Sequence, residues 1–228
     1  MMSPPFPRWD GDTLPTLSLA QMREVDRIMV QHYRIDLLQM MELAGRHLAH
    51  LARLRFLDGD PRDNLVLILA GKGGNGGGAL VCARRLATWG ATVSVGITHP
   101  LDTFTPVAAQ HLQSLQFMGI PMRMGPEIAT SIAPKLIIDG MLGYQSTGAP
   151  HGETATMIGW ANAQAAPILA LDLPSGLDAT TGIAAVPTVR ATATMTLALP
   201  KVGLGLQENK GYVGELYLAD IGVISAVQ

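Results

Sequence analysis

Short, nearly unbroken apolar runs alternate along this chain with longer stretches in which apolar residues recur every three or four positions. The runs are NLVLILA (64–70), ATVSVGIT (91–98), KLIIDG (135–140), PILAL (167–171), RATATMTLAL (190–199) and GELYLADIG (214–222), with a shorter PMRMG at 121–125. Continuous apolarity over four to eight residues, rich in β-branched side chains, predicts strands covered on both faces, as in a parallel sheet. The periodic stretches predict helices. Ser18 precedes Leu19, Met22, Val25, Ile28 and Met29, which share one face of a helix over about 19–32. A second helix starts near Asp36 and runs through LLQMMELAGRHLAHLARLRF, with Gly45 placed for close packing. Helices are also expected in ALVCARRLATWG, ending at Gly90, in TPVAAQHLQSLQFMG, in the short PEIATSIA and in ETATMIGWANAQA. Strands alternating with helices imply an α/β fold with a mostly parallel, doubly wound sheet and helices on both faces. The proline-rich residues 1–16 read as a flexible arm ahead of one domain over 17–228.

In an open sheet of this kind, ligands gather outside the carboxyl ends of the strands, where the strand order reverses. Three unusual segments fall at such ends: GKGGNGGG after the first strand, DGMLGYQSTGAP after KLII, and DLPSGLDATTG after PILAL. The first holds six glycines in eight positions, Gly71 to Gly78. Two readings stay open: a backbone cradle that admits a phosphate near the next helix's N-terminus, or a turn that lets strand and helix pack closely. An ordinary NAD fingerprint is disfavoured, because the second strand ends in GITHPLD with no acid in place, and a P-loop fails because no Lys-Ser or Lys-Thr pair opens the helix.

Asp139 and Asp172 each close an apolar strand, where a carboxylate is costly unless hydrated, paired or bound to a cation. With Asn75 and Ser175 they form an all-oxygen set that suits a hard cation better than zinc. The single cysteine, Cys82, lies in an apolar helical pattern, and the six histidines show no ligand spacing, so neither a zinc site nor a thiol nucleophile is indicated. A formal charge of -2 leaves no global field for nucleic acid or an anionic membrane. No apolar run approaches the roughly 20 residues that span a bilayer, and the N-terminus lacks a signal-peptide pattern, so the expected setting is cytoplasmic.

Taken in order, SLAQMREVDRIMV with MELAGR, AGKGGNGGGALVCARRL, IIDGMLGYQSTG, LDLPSGLDATTG, and LALPKVGL with GYVGELYLADIG resemble the NAD(P)H-hydrate epimerase family, also called the YjeF N-terminal domain. The resemblance runs from about Leu17 to Gly222. It implies a three-layer αβα, Rossmann-like sandwich, usually a homodimer, that interconverts the R and S forms of hydrated NADH or NADPH. It further implies a potassium ion bound by Asn75, Asp139 and Ser175. Substrate contacts carry over to Gly74, Asn75, Gly76, Gly77 and Gly78, to Gly143, Tyr144, Gln145, Ser146, Thr147, Gly148 and Ala149, and to Asp172. Asp172 is the expected acid/base or orienting group, and Lys201 in PKVGL adds charge to the same crevice. The chain departs from the family pattern at Gly74 and Leu43, where asparagines are usual, and at Gly78, where an aspartate is usual. An alternative is therefore a catalytically degenerate module that binds a nucleotide or serves as a scaffold.

Overall fold

The computed structural model describes residues 6–9, 15–125 and 133–223. Two helices precede the first strand. Helix α1 (Leu19–Gln31) and helix α2 (Leu37–Phe56) each begin with a reciprocal capping box, Ser18 with Gln21 and Asp36 with Gln39, which satisfies donors that the first turn leaves unpaired. The chain then runs β1 (Leu65–Ala70), α3 (Gly74–Thr88), β2 (Thr92–Ile97), α4 (Pro106–Phe117), β3 (Met122–Met124), β4 (Leu136–Gly140), α5 (Gly152–Asn162), β5 (Ile168–Leu171), β6 (Ala193–Leu197), α6 (Lys210–Val213) and β7 (Glu215–Ala219). The short helix expected at PEIATSIA falls almost wholly outside the described residues.

The seven strands form one sheet in the order β3-β2-β1-β4-β5-β6-β7, and every pairing is parallel. Order reverses between β1 and β4, which defines the switch point. Strand residues divide by the two-residue period of the pleat. Val66, Ile68, Ala70, Val95 and Ile138 join one core with Leu48, Leu51, Leu80, Leu86 and Leu112 from α2, α3 and α4. Leu67, Leu69, Ile137 and Ala170 join a second core with Met157, Ile158 and Ala161 from α5. Helix, sheet and helix make three layers, as the apolar pattern predicts.

Two expectations need revision. Residues 6–9, assigned to a flexible arm, pair with the last strand instead: Arg8 bridges Tyr217, the Trp9 N–H donates to the Leu216 carbonyl at 2.9 Å, and Trp9 is buried. The glycine-rich segment was expected to precede its helix, yet α3 starts at Gly74, so Asn75 to Gly78 lie within the helix. Each interior glycine costs a helix about 1 kcal/mol relative to alanine, and close packing overrides that preference here. A Cβ on Gly76 would stand 1.7 Å from the Gly71 carbonyl oxygen, and one on Gly77 would stand 2.5 Å from Met41 Sδ. Gly45 plays the matching part on α2, where a Cβ would lie 2.4 Å from both the Gly78 oxygen and Val81 Cβ. The packing reading of the glycine run thus applies to several of its members.

Candidate active site

The carboxyl ends of β1, β4, β5 and β6 deliver the polar residues that the sequence singles out. Asp139 sits on β4 with Leu69 of β1 on one side and Ala170 of β5 on the other, so it lies at the switch point, fully buried. Its Oδ1 accepts from Ser175 Oγ at 2.6 Å and from the Met141 N–H at 3.2 Å, and its Oδ2 accepts from the Ser175 N–H at 2.8 Å. Burial pushes the Asp139 carboxyl up to about 6, against the opposing pull of those Ser175 and Met141 donors. Asn75, in the first turn of α3, donates through Nδ2 to the Leu142 carbonyl at 2.7 Å and the Leu171 carbonyl at 3.0 Å. The Leu142 N–H in turn donates to Ser175 Oγ at 2.9 Å. Asn75, Asp139 and Ser175 therefore meet around Leu142, as one oxygen-rich set.

That set fits a hard monovalent cation. Among the described residues no lysine, arginine or histidine forms an ion pair with Asp139, although it is entirely buried. No donor among them is seen at Asn75 Oδ1. A buried carboxylate with hydrogen-bond donors but no cationic side chain, set beside an open amide oxygen, is an arrangement in which a bound cation would lower the cost of burial.

Asp172 and Lys201 form a second buried group. The chain leaves β5 through Asp172 at φ +66°, and the Leu173 N–H closes back on the Leu171 carbonyl at 2.8 Å. It leaves β6 in the same way through Ala198 at φ +62°, with the Leu199 N–H on the Leu197 carbonyl at 2.8 Å. Such three-residue turns with positive φ are rare and strained, and strain of this kind is retained where it sets a functional group. Here it directs Asp172 at the end of β6. Asp172 Oδ1 accepts from Lys201 Nζ and, at 3.3 Å, from the Leu197 N–H. Lys201 Nζ also donates to the Leu197 carbonyl at 2.8 Å and to Thr196 Oγ1 at 3.3 Å. Lys201 is 0% exposed and Asp172 3% exposed, so the pair is largely withdrawn from bulk water. All donors to the carboxylate converge on Oδ1, which leaves Oδ2 without a partner among the described residues.

Tyr144 adds a contact that the pattern of the chain does not announce. Its hydroxyl donates to Asp26 Oδ2, 118 residues earlier on α1, and accepts from Gln145 Nε2 at 2.9 Å. Burial, then the nearby Asp172 charge, raise the Asp26 carboxyl, while the Tyr144 hydrogen bond and Lys201 lower it; the net shift is upward. Burial and the Asp26 hydrogen bond raise the Tyr144 phenol, and Asp172 adds to that rise. Asp26, Tyr144, Asp172 and Lys201 therefore share one electrostatic neighbourhood. Sequence reading passed over Asp26, yet a signal exists: it stands four residues after Met22 and three before Met29, inside the apolar stripe of α1.

The other predicted substrate contacts divide. Gly143, Ser146, Gly148 and Ala149 line a cavity of about 360 Å³ together with Leu173 and Pro174. Gln145 reaches only Tyr144, and Thr147 is exposed with no side-chain hydrogen bond to a described residue. Gly74 is exposed at the mouth of the crevice, whereas Gly76, Gly77 and Gly78 are buried and packed. Leu43 packs into an apolar cluster that also receives Tyr144. A wider hollow of about 530 Å³, between Gln116, Met122 and Met124, holds none of the predicted residues. No described helix is long and apolar enough to cross a membrane.

Known proteins resemble this chain over nearly its whole length. The chain is 38% identical over 222 residues to the NAD(P)H-hydrate epimerase of Dehalogenimonas lykanthroporepellens, covering 97% of this chain and 88% of that protein. It is 35% identical to the NAD(P)H-hydrate epimerase of Truepera radiovictrix, covering 92% and 91%. Against the bifunctional NAD(P)H-hydrate repair enzyme Nnr of Salinibacter ruber it is 33% identical and spans 41% of that longer protein. The crystal structure of yeast ynu0, YNL200c, superimposes with a TM-score of 0.73 at 25% identity, over 86% of each chain. Residues 37–203, from the start of α2 to the turn after Lys201, match the family model described as YjeF-related protein N-terminus, and with relatives of this identity over nearly its whole length the chain belongs to that family.

Proposed function

We propose that this chain interconverts the R and S epimers of hydrated NADH or NADPH, with a potassium ion held by Asn75, Asp139 and Ser175. The observation that carries the reading is the buried Asp172–Lys201 pair, whose one unpartnered carboxylate oxygen lies at the strand ends beside the oxygen-rich set. Relatives named for this reaction cover most of the chain.

Inversion at the hydroxylated ring carbon requires its C–O bond to break and to re-form from the other face. The lone pair of the adjacent ring nitrogen supplies the electrons for departure and takes them back on addition. Two proton transfers accompany these steps: one to the departing oxygen, one from the water that returns. Lys201 and the Leu197 N–H fix Asp172 through Oδ1, so Oδ2 is the oxygen free to exchange a proton with the substrate hydroxyl or the returning water. Burial of the pair excludes competing water and strengthens its hold on the reacting oxygen. When bound, potassium supplies fixed positive charge and a template for polar groups of the substrate. The absence of a Cβ at Gly73 and Gly74 leaves the start of α3 open for close approach of a nucleotide's phosphates.

The test starts from purified R-NADHX in potassium chloride and follows the S epimer by chromatography. Acceleration well above the spontaneous rate, lost in Asp172→Asn and reduced when tetramethylammonium replaces potassium, supports the reading. A wild-type rate equal to the spontaneous one at high protein concentration overturns epimerisation. An unchanged rate in tetramethylammonium overturns the potassium site alone.

A further inference from the structure

The proposed chemistry needs a proton at the departing oxygen and a place for the proton of the returning water. One carboxylate cannot give and take at once. The contact between α1 and the segment after β4 supplies a second group: the geometry points to Tyr144, held by Asp26, as a second proton-transfer residue of the crevice, with Asp26 acting through it. This inference rests on the epimerase reading above.

Three observations carry it. The Tyr144 hydroxyl is pinned from two sides, donating to Asp26 Oδ2 and accepting from Gln145 Nε2, so its position is set and not left to rotate. Its ring packs on the apolar cluster that includes Met22, Val25, Ala198 and Leu199, which orients the phenol from the apolar side. Asp26 interrupts the buried stripe formed by Met22, Val25 and Met29, where an apolar residue would bury more surface without desolvating a charge. The groups that face Asp26 are Tyr144, Asp172 and Lys201, and those that face Tyr144 are Asp26, Asp172 and Gln145. Burial and the Asp172 charge both favour the protonated form of Asp26. A protonated Asp26 beside an Asp172 that is ion-paired with Lys201 allows one carboxyl to act as acid while the other acts as base.

The transfers balance. When Asp26 is protonated it donates in the hydrogen bond to Tyr144, which frees the phenol proton; as Tyr144 gives that proton to the departing oxygen, Asp26 returns one to the Tyr144 oxygen. The C–O bond breaks, water leaves, and the ring nitrogen's lone pair forms the C=N bond. Water then adds to the other face while Asp172 takes its proton, and the nitrogen recovers its electron pair. Asp26 ends as carboxylate and Asp172 as acid, with total charge unchanged, and exchange with solvent water restores the starting state. In the reverse direction the roles exchange.

Tyr144→Phe keeps the ring and its packing and removes only the hydroxyl. Asp26→Asn keeps a partner for that hydroxyl and removes the proton. Both are assayed with R-NADHX alongside the wild type and Asp172→Asn, and NADPH-induced thermal shifts report whether the fold and the nucleotide site persist. The expected result is a fall in kcat of at least about 100-fold in each variant with the NADPH shift retained. Asp26→Asn also loses the limb of the pH profile on which the wild-type rate falls as pH rises. Wild-type kcat, within threefold, in both variants overturns the inference while leaving the epimerase reading intact. Full activity in Asp26→Asn alone overturns the part assigned to Asp26, and a change confined to KM reduces Tyr144 to a binding contact. If Tyr144→Phe does not fold, the rate and pH profile of Asp26→Asn decide. A wild type without acceleration sinks the underlying reading and this inference with it, and the Asp172→Asn control tells the two cases apart.

Discussion

Replacing Lys201 by methionine tests whether the buried ion pair is organised as described. Lys201 is 0% exposed, so methionine keeps most of the stem's packing and removes only the ammonium. Asp172 then retains one donor, the Leu197 N–H at 3.3 Å, for a carboxylate that is 3% exposed. Stranding one partner of a buried pair typically costs about 3–5 kcal/mol. Asp172→Asn, which tolerates positive φ, strands the ammonium with the Leu197 carbonyl and Thr196 and should cost a similar amount. Combining the two removes both charges, so the double variant should recover about 2–3 kcal/mol over the worse single one, giving strong coupling in a double-mutant cycle. Urea unfolding followed by circular dichroism and tryptophan fluorescence provides the free energies. Costs that simply add, or a Lys201→Met variant within about 1 kcal/mol of wild type, would refute a closed, mutually dependent pair. The double variant should remain inactive even when stable, which separates the fold's need for charge balance from the reaction's need for a carboxylate.

Gly45→Ala forces a methyl into the contact of α2 with the Gly78 oxygen and Val81 Cβ, both 2.4 Å away, and should destabilise by about 1–3 kcal/mol in calorimetry; a midpoint equal to wild type contradicts the packing. Glu215 is held at about 2, chiefly by Arg55, and the 27% exposure of its side chain screens the benefit to about 1 kcal/mol. Because that carboxyl is depressed from 4.5, its contribution is complete above pH 4.5 and fades as pH falls toward 2. Glu215→Gln should therefore be less stable than wild type at pH 7 and equal to it near pH 2, and a pH-independent difference rejects the assignment. Gly74→Asn places its Cβ near only Met41 Cε, at 3.6 Å, so the variant should fold normally and bind NADPH up to about tenfold more tightly in calorimetric titration; unchanged or weaker binding refutes a polar contact there.

What the sequence discloses and what it hides follow from the range of the forces involved. β1 and β4 are legible because both faces of a central parallel strand are buried, which writes an unbroken apolar run. Ser18 and Asp36 are legible as caps because a cap acts on donors three residues away. The start of α3 is not, because glycine's poor helix propensity is a local signal and the packing of Gly76 and Gly77 that overrides it comes from Gly71 and Met41. Asp139 and Asp172 stand out as carboxylates that close apolar runs, so their placement at neighbouring strand ends follows once the strands are ordered. Lys201 is harder, since its burial depends on the turn at Ala198 and on an aspartate 29 residues away. The Asp26–Tyr144 contact depends on where α1 docks, and only its break in the apolar stripe hints at it.

The three departures from the family pattern take on a common meaning once they are placed. Leu43 and Gly78 lie on the α2–α3 side, where Leu43 feeds the apolar cluster around Tyr144 and a Cβ on Gly78 would meet Leu171 Cδ2 at 2.8 Å. Gly74 lies exposed at the first position of α3. None of them touches Asp172, Lys201, Asp139 or Ser175, whose hydrogen bonds all originate at the ends of β4, β5 and β6. Contacts made equally to substrate and transition state change KM and leave kcat alone, whereas groups that move protons change kcat. On the proposed reading, Gly74 therefore bears on nucleotide binding, Leu43 and Gly78 bear on the packing of α2 and α3, and the Asp172–Lys201 pair keeps its hydrogen bonds. A chain that had abandoned the reaction would have no reason to keep a fully buried lysine and aspartate at a strained turn, because an apolar pair of the same volume would be as stable or more so.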